Sequence, residues 1–157
     1  MSDDMFALHT SDLLALPVAA LLAEKDVDLH CVEADSSVHR AISIMSDEEV
    51  GCVMVMHGDK FVGTVSERDY TRKVILKGRS SLGTRAREIM TPPEATVSPE
   101  DSLADGMRLL HEHRLRHLPV VDGDRLVGVL SMGDLVHHLL RAQQQTIAEL
   151  QEAMEGN

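Results

Sequence analysis

The chain repeats itself. Gly63-Thr64-Val65-Ser66-Glu67-Arg68-Asp69 lines up with Gly128-Val129-Leu130-Ser131-Met132-Gly133-Asp134, 65 positions later. The same offset superposes Val32 on Val97, Ser37 on Ser102, Val55 on Val120, Gly58-Asp59 on Gly123-Asp124, and Val62 on Val127, with no gap. A duplication of this kind restricts the fold to two copies of one small unit.

The pattern within each copy predicts β-α-β-β-α. A short strand comes first, at Leu29–Val32 and again at Thr96–Val97. An amphipathic helix follows, with Val38, Ala41, Ile42 and Met45 at helical spacing in one copy and Leu103, Met107 and Leu110 in the other. Ser102 and Asp105 form a capping-box pair at the start of the second of these helices. The apolar runs Cys52–Met56 and Leu118–Val121 read as central strands. His57-Gly58 and Asp122-Gly123 read as hairpin turns into further strands at Lys60–Val65 and Arg125–Leu130. A helix then opens at Ser66 or Ser131. The first two strands of a unit should be parallel and the last two antiparallel, giving an α+β fold of mixed three-stranded sheets with helices. Residues 1–16 form an N-terminal extension, 17–78 the first repeat, 79–140 the second and 141–157 a helical tail. Pro17 suits the first turn of a helix running to about Lys25. In the tail, Ile147, Leu150 and Met154 fall on one stripe.

Composition removes several function classes. The chain carries a net charge of −11, which repels phosphate backbones, and 2% aromatic residues, too few for base stacking. Nucleic acid is therefore not an expected partner. The apolar stretch Leu13–Ala23 holds Pro17 and is too short to span a bilayer, and no basic leader precedes an apolar run. No membrane association is expected, and the cytoplasm is the expected location. Cys31 and Cys52 match neither a disulfide framework nor a zinc finger, and read as free thiols. His111 and His113, and the adjacent His137 and His138, lack the spacing of a helical metal site. No nucleophile elbow, phosphate-binding lysine loop or paired-carboxylate pattern suggests catalysis.

Three features coincide at the end of each hairpin. A glycine sits inside the strand (Gly63, Gly128), a hydroxyl opens the next helix (Ser66, Ser131), and an acid lies three residues on (Asp69, Asp134). Ser-x-x-Asp caps a helix whatever the function. The glycine adds a cost in strand stability and marks the close approach of a ligand or another backbone. A helix start suits a phosphate, and an ionised aspartate can accept from both hydroxyls of a ribose.

At these residues the chain resembles the CBS-domain family, whose nucleotide signature is Gly-hydrophobic-x-Ser/Thr-x-x-Asp closing a β-α-β-β-α unit. Val65-Ser66-Glu67-Arg68-Asp69-Tyr70 and Arg116-His117-Leu118-Pro119-Val120-Val121 look like stand-alone bacterial CBS pairs, and the resemblance runs from about Asp28 to Leu140. It implies two repeats about a pseudo-twofold axis, a homodimer, a regulatory role and clefts for AMP, ADP, ATP, NAD or S-adenosylmethionine. It leaves open an effector protein as partner, and the alternative of a purely structural pair with degenerate clefts. The implied nucleotide-binding residues are Gly63, Ser66, Arg68 and Asp69 in the first copy and Arg116, His117, Gly128, Ser131 and Asp134 in the second. Copy one has Gly51-Cys52 where copy two has Arg116-His117, so the two sites should differ in affinity. Copy two, with its strand-borne Arg116, is expected to bind more tightly.

Overall fold

The computed structural model describes residues 11–24 and 29–156. Residues 11–15 make a helical turn. The elements that follow are α1 (Val18–Glu24), β1 (Cys31–Glu33), α2 (Val38–Asp47), β2 (Cys52–His57), β3 (Lys60–Ser66), α3 (Glu67–Tyr70), a π turn (Thr71–Ile75), α4 (Ala86–Ile89), α5 (Leu103–Glu112), β4 (His117–Asp122), β5 (Arg125–Ser131) and α6 (Met132–Glu155). The expected helix end at Lys25, the boundary at Asp28 and residues 1–10 of the N-terminal extension lie outside the described residues. Two compact units form. One runs from β1 to Thr96 and includes Val121–Gly128; the other holds α1, Val97–Val120 and the chain from Val129 onward.

The first repeat has the expected topology, an α+β arrangement around a mixed three-stranded sheet of order β1-β2-β3. β1 lies parallel to β2, with Val32 opposite Val55, and β2 lies antiparallel to β3, with Val53 opposite Val65. Ser37 caps α2 by accepting the Arg40 N–H at 3.2 Å. Val38, Ala41 and Met45 of α2 are buried, and Ile42 packs half-buried beside them. They meet Val32, Val53, Val55 and Val65 from the sheet. Burying such a side chain contributes about 1.5–3 kcal/mol.

The second repeat copies the first down to its turns. Glu49 and Arg114, 65 residues apart, both take left-handed backbone at the end of the repeat's first helix, and Gly58 and Gly123 do so at the hairpins. Ser102 accepts the Asp105 N–H at 3.1 Å. The reciprocal half of the expected capping box is replaced, because the Asp105 carboxylate pairs with Arg108 at 3.6 Å. The first strand is reduced to a single parallel bridge, Val97 to Val120, beside the β4-β5 sheet. Proline explains the difference. In the first copy the N–H groups of Met54 and Ala34 bond to His30 and Met56 carbonyls across the parallel pair. Pro119 and Pro99 occupy the matching positions and have no N–H to give.

The stretch before the first strand of each repeat follows the same logic. Val38, Ala86 and Arg87 donate to the carbonyls of Thr84, Ser36 and Ala34 at 2.8–2.9 Å. Leu103, Val18 and Ala19 donate to Leu16, Asp101 and Pro99 at 2.7–3.0 Å in the same pattern. The residues from Thr84 to Thr91 therefore pack on the first repeat, where Ala86 and Ile89 join its core. α1 packs in the same way on the opening of α5, with Val18 and Leu21 buried.

Candidate functional site

The first copy of the motif is a closed knot of hydrogen bonds around Asp69. β3 ends at Ser66, which turns to extended backbone and caps α3. The Ser66 hydroxyl accepts the Asp69 N–H at 3.1 Å, while the Ser66 N–H and hydroxyl both donate to Asp69 Oδ2 at 3.0 Å. Thr91 donates its hydroxyl to Asp69 Oδ1 at 2.8 Å. Lys73 stands 3.0 Å from the same oxygen and also donates to the Ile89 carbonyl at 2.8 Å. A carboxylate offers about four lone-pair sites, and these four donors engage them all. Burial works to raise the Asp69 pKa, but the donors from Ser66, Lys73 and Thr91 outweigh it and hold the carboxyl below its ordinary range. A further donor to Asp69 would have to displace one of these four.

Gly63 has a local explanation. A Cβ there would stand 2.9 Å from the Thr91 carbonyl oxygen and 3.3 Å from Met90 Sδ. Thr64 and Thr91 exchange backbone hydrogen bonds at 2.8 and 2.9 Å. The glycine admits the neighbouring backbone of residues 90–91. Arg68, in the first turn of α3, is exposed. Cys52 lies opposite Ser66 on β2. Burial pushes its thiol up to about 11, against a hydrogen bond from Thr64 and with the Asp69 charge adding to the rise.

The second copy has the same frame with different occupants. Ser131 caps α6 by accepting the Asp134 N–H at 2.9 Å. The Arg116 carbonyl accepts the Met132 N–H at 3.0 Å, as the Gly51 carbonyl accepts the Glu67 N–H at 3.1 Å. Arg116 is thereby pinned beside the start of α6, with an exposed side chain, and exposed His117 opens β4 next to it. Gly128 is buried within β5, three residues before Ser131. His138 stands where the first copy has Lys73. Its Nδ1 lies 3.3 Å from Glu24, at the end of α1, and its Nε2 is buried with no hydrogen-bond partner among the described residues. A small pocket of about 60 Å³ remains here, lined by Leu21, Glu24, Asp134, His137, His138 and Arg141. In copy one, Lys73 and Thr91 contact the acid.

Lys73, Thr91, Glu24 and His138 were not among the residues singled out by the repeat. Lys73 was legible as the i+4 partner of Asp69. Thr91 and Glu24 arrive through tertiary packing. A wider cleft of about 750 Å³ opens between the hairpin turns, lined by residues such as Asp59, Lys60, Asp122 and Arg125. It holds none of the nine candidate residues and lies at the far end of β3 and β5 from the serine caps.

The CBS-domain model matches residues 23–75 and 86–141. The chain belongs to the CBS-domain family. It is 33% identical over 127 residues to the mitochondrial CBS domain-containing protein CBSX3 of Arabidopsis thaliana, covering 78% of this chain and 62% of that protein, so it spans less than two thirds of the plant relative. The CBS domain-containing protein YhcV of Bacillus subtilis is 31% identical over 104 residues, covering 66% of this chain and 74% of the relative. Among solved structures, a proposed signal-transduction protein with CBS domains from Burkholderia ambifaria is 42% identical with a TM-score of 0.71, covering 80% of this chain and 95% of that one. The tandem CBS pair is thus established.

Proposed function

We propose that this CBS pair is a cytoplasmic regulatory module that binds an adenosine-containing nucleotide (AMP, ADP, ATP or NAD) and passes its ligand state through a homodimer to an effector protein. The observation that carries this reading is the doubled serine-capped helix start with an acid at its third position, next to a strand-borne glycine. A capped helix start favours a phosphate, and the acid favours a ribose diol. Copy two is the better candidate for occupancy, because Arg116 and His117 flank its helix start and a pocket adjoins Asp134.

One observation favours a second reading, a structural pair with degenerate clefts: the Asp69 carboxylate is already saturated by its own chain. Thermal unfolding with each nucleotide separates the two. A ligand at about 100 times its dissociation constant adds roughly 2.7 kcal/mol of stability. No shift with AMP, ADP, ATP, NAD or S-adenosylmethionine at millimolar concentration would favour the structural pair.

A further inference from the structure

The long helix α6 continues well past the second repeat, and from its second turn onward it carries an unusual stripe. Val136, Leu140, Gln143, Ile147, Leu150 and Met154 are spaced alternately four and three residues apart, the repeat of a coiled-coil seam. Four of them are strongly exposed: Val136 by 48%, Leu140 by 52%, Ile147 by 50% and Met154 by 79%. From residue 136 to 154 the stripe runs about 27 Å at 1.5 Å per residue. The positions flanking the seam hold His137, Leu139, Gln144, Gln151 and Ala153, none of them an acid or a strong base. The formal charges of this stretch, Arg141, Glu149, Glu152 and Glu155, all fall on the side away from the seam. In a chain of net charge −11, this face can meet its own copy without opposing like charges.

We propose that two copies of the chain pair antiparallel along this stripe of α6. The stripe is complementary to itself in that direction. Val136 of one copy meets Met154 of the other, Leu140 meets Leu150, and Gln143 meets Ile147, so six layers close about a twofold axis. The one polar layer position, Gln143, lies near the centre, where a polar residue sets register. The helix dipoles select the direction, because the antiparallel arrangement sets each helix's positive end beside its partner's negative end. The seam is short, but the helix is already nucleated on its own unit through buried Leu135, so pairing does not carry the cost of forming it.

This inference rests on the homodimer reading and gives that dimer a particular surface. The test is sedimentation equilibrium of the full chain, wild type against Ile147→Lys, with circular dichroism to show that the fold is kept. Ile147 is half-exposed, so lysine should leave the monomer intact while weakening the dimer about tenfold or more. A dimer unchanged by Ile147→Lys would overturn the surface and leave the homodimer reading standing. A monomeric wild type would remove both. Direction is read by oxidative crosslinking in a Cys31→Ser background. Gln144→Cys faces its own copy across the twofold axis and should form linked dimers, whereas Met154→Cys should not. Linkage through Met154→Cys alone would overturn the antiparallel register.

Discussion

Lys73 Nζ and Asp69 Oδ1 stand 3.0 Å apart, across the point where α3 passes into the π turn. The contact neutralises the one buried acid among the described residues of the first repeat, and Thr91 completes the arrangement from the segment leading to the second. Asp69 titrates below its ordinary range because its hydrogen bonds outweigh its burial. An acid whose folded pKa is depressed contributes stability above its unfolded pKa of about 3.9. That contribution is lost as pH falls through the folded pKa. Asp69→Asn should therefore lower stability at neutral pH by about 1.5–3 kcal/mol, the scale of hydrogen bonds to a charged group. Denaturant unfolding of both proteins in steps of falling pH checks this. The difference between them should shrink below about pH 4; a difference constant into strong acid would mean that the charge of Asp69 contributes nothing.

The close approach of the Thr91 carbonyl to Gly63 makes a sharper stability test. A methyl at Gly63 would meet backbone at 2.9 Å, and backbone cannot swing aside as a side-chain tip can. Gly63→Ala should cost about 1–3 kcal/mol by overpacking. Gly51→Ala, where a Cβ meets nothing within 4 Å, should stay within about 0.5 kcal/mol. Equal melting temperatures for the two variants would mean that the strand moves freely away from residues 90–91.

The repeat made most of this fold legible. A 65-residue offset carried the helix caps at Ser37 and Ser102, the left-handed turns and the capped serines from one copy to the other. It did so because each of these depends on neighbours within a few residues. Pro99 and Pro119 mark where the copies part: they remove two ladder donors, so the strand expected at Thr96–Val97 keeps one bridge. What local pattern could not reveal is the company that each acid keeps. Thr91 reaches Asp69, and Glu24 reaches His138, only because the stretch before the first strand of each repeat folds back onto one of the cores. The glycine of the motif marked the close approach of a ligand or another backbone, and in the first copy it is a backbone that approaches.

The two cysteines should differ in reactivity. Cys31 is exposed and Cys52 half-buried. Burial raises both thiols, and Glu33 adds to the rise at Cys31, but Cys52 reaches about 11. The thiolate is the reacting form, so near neutral pH a thiol reagent should label Cys31 first and Cys52 many times more slowly. Mass spectrometry of timed samples reads the order. Faster labelling of Cys52 would mean that β2 opens locally at its first residue.

The groups beside each helix start also rank the clefts. Asp134 adjoins a pocket, and at the first copy the acceptors of Asp69 are engaged by Ser66, Lys73 and Thr91. A nucleotide at the first copy must first break a charge-assisted contact, which subtracts from its binding free energy. At the second copy, Arg116 is held beside the helix start through its own carbonyl, close to where a phosphate would sit. Asp134→Ala should therefore remove the tighter AMP-binding event, at a cost of about 1.5–3 kcal/mol, and Asp69→Ala the weaker one. Thr91→Val should act in the opposite sense, because losing the hydroxyl returns one acceptor of Asp69 to the ligand and strengthens the weaker event. Calorimetric titration of the three variants with AMP and with its 2′-deoxy analogue tests the assignment. The analogue should lose affinity in the wild type by a similar amount and lose little more in Asp134→Ala, since the hydroxyl and its acceptor form one interaction. If Asp69→Ala abolishes the tighter event and Asp134→Ala leaves it intact, the order of the clefts is the reverse, and Lys73 and Thr91 yield to the ligand at little cost.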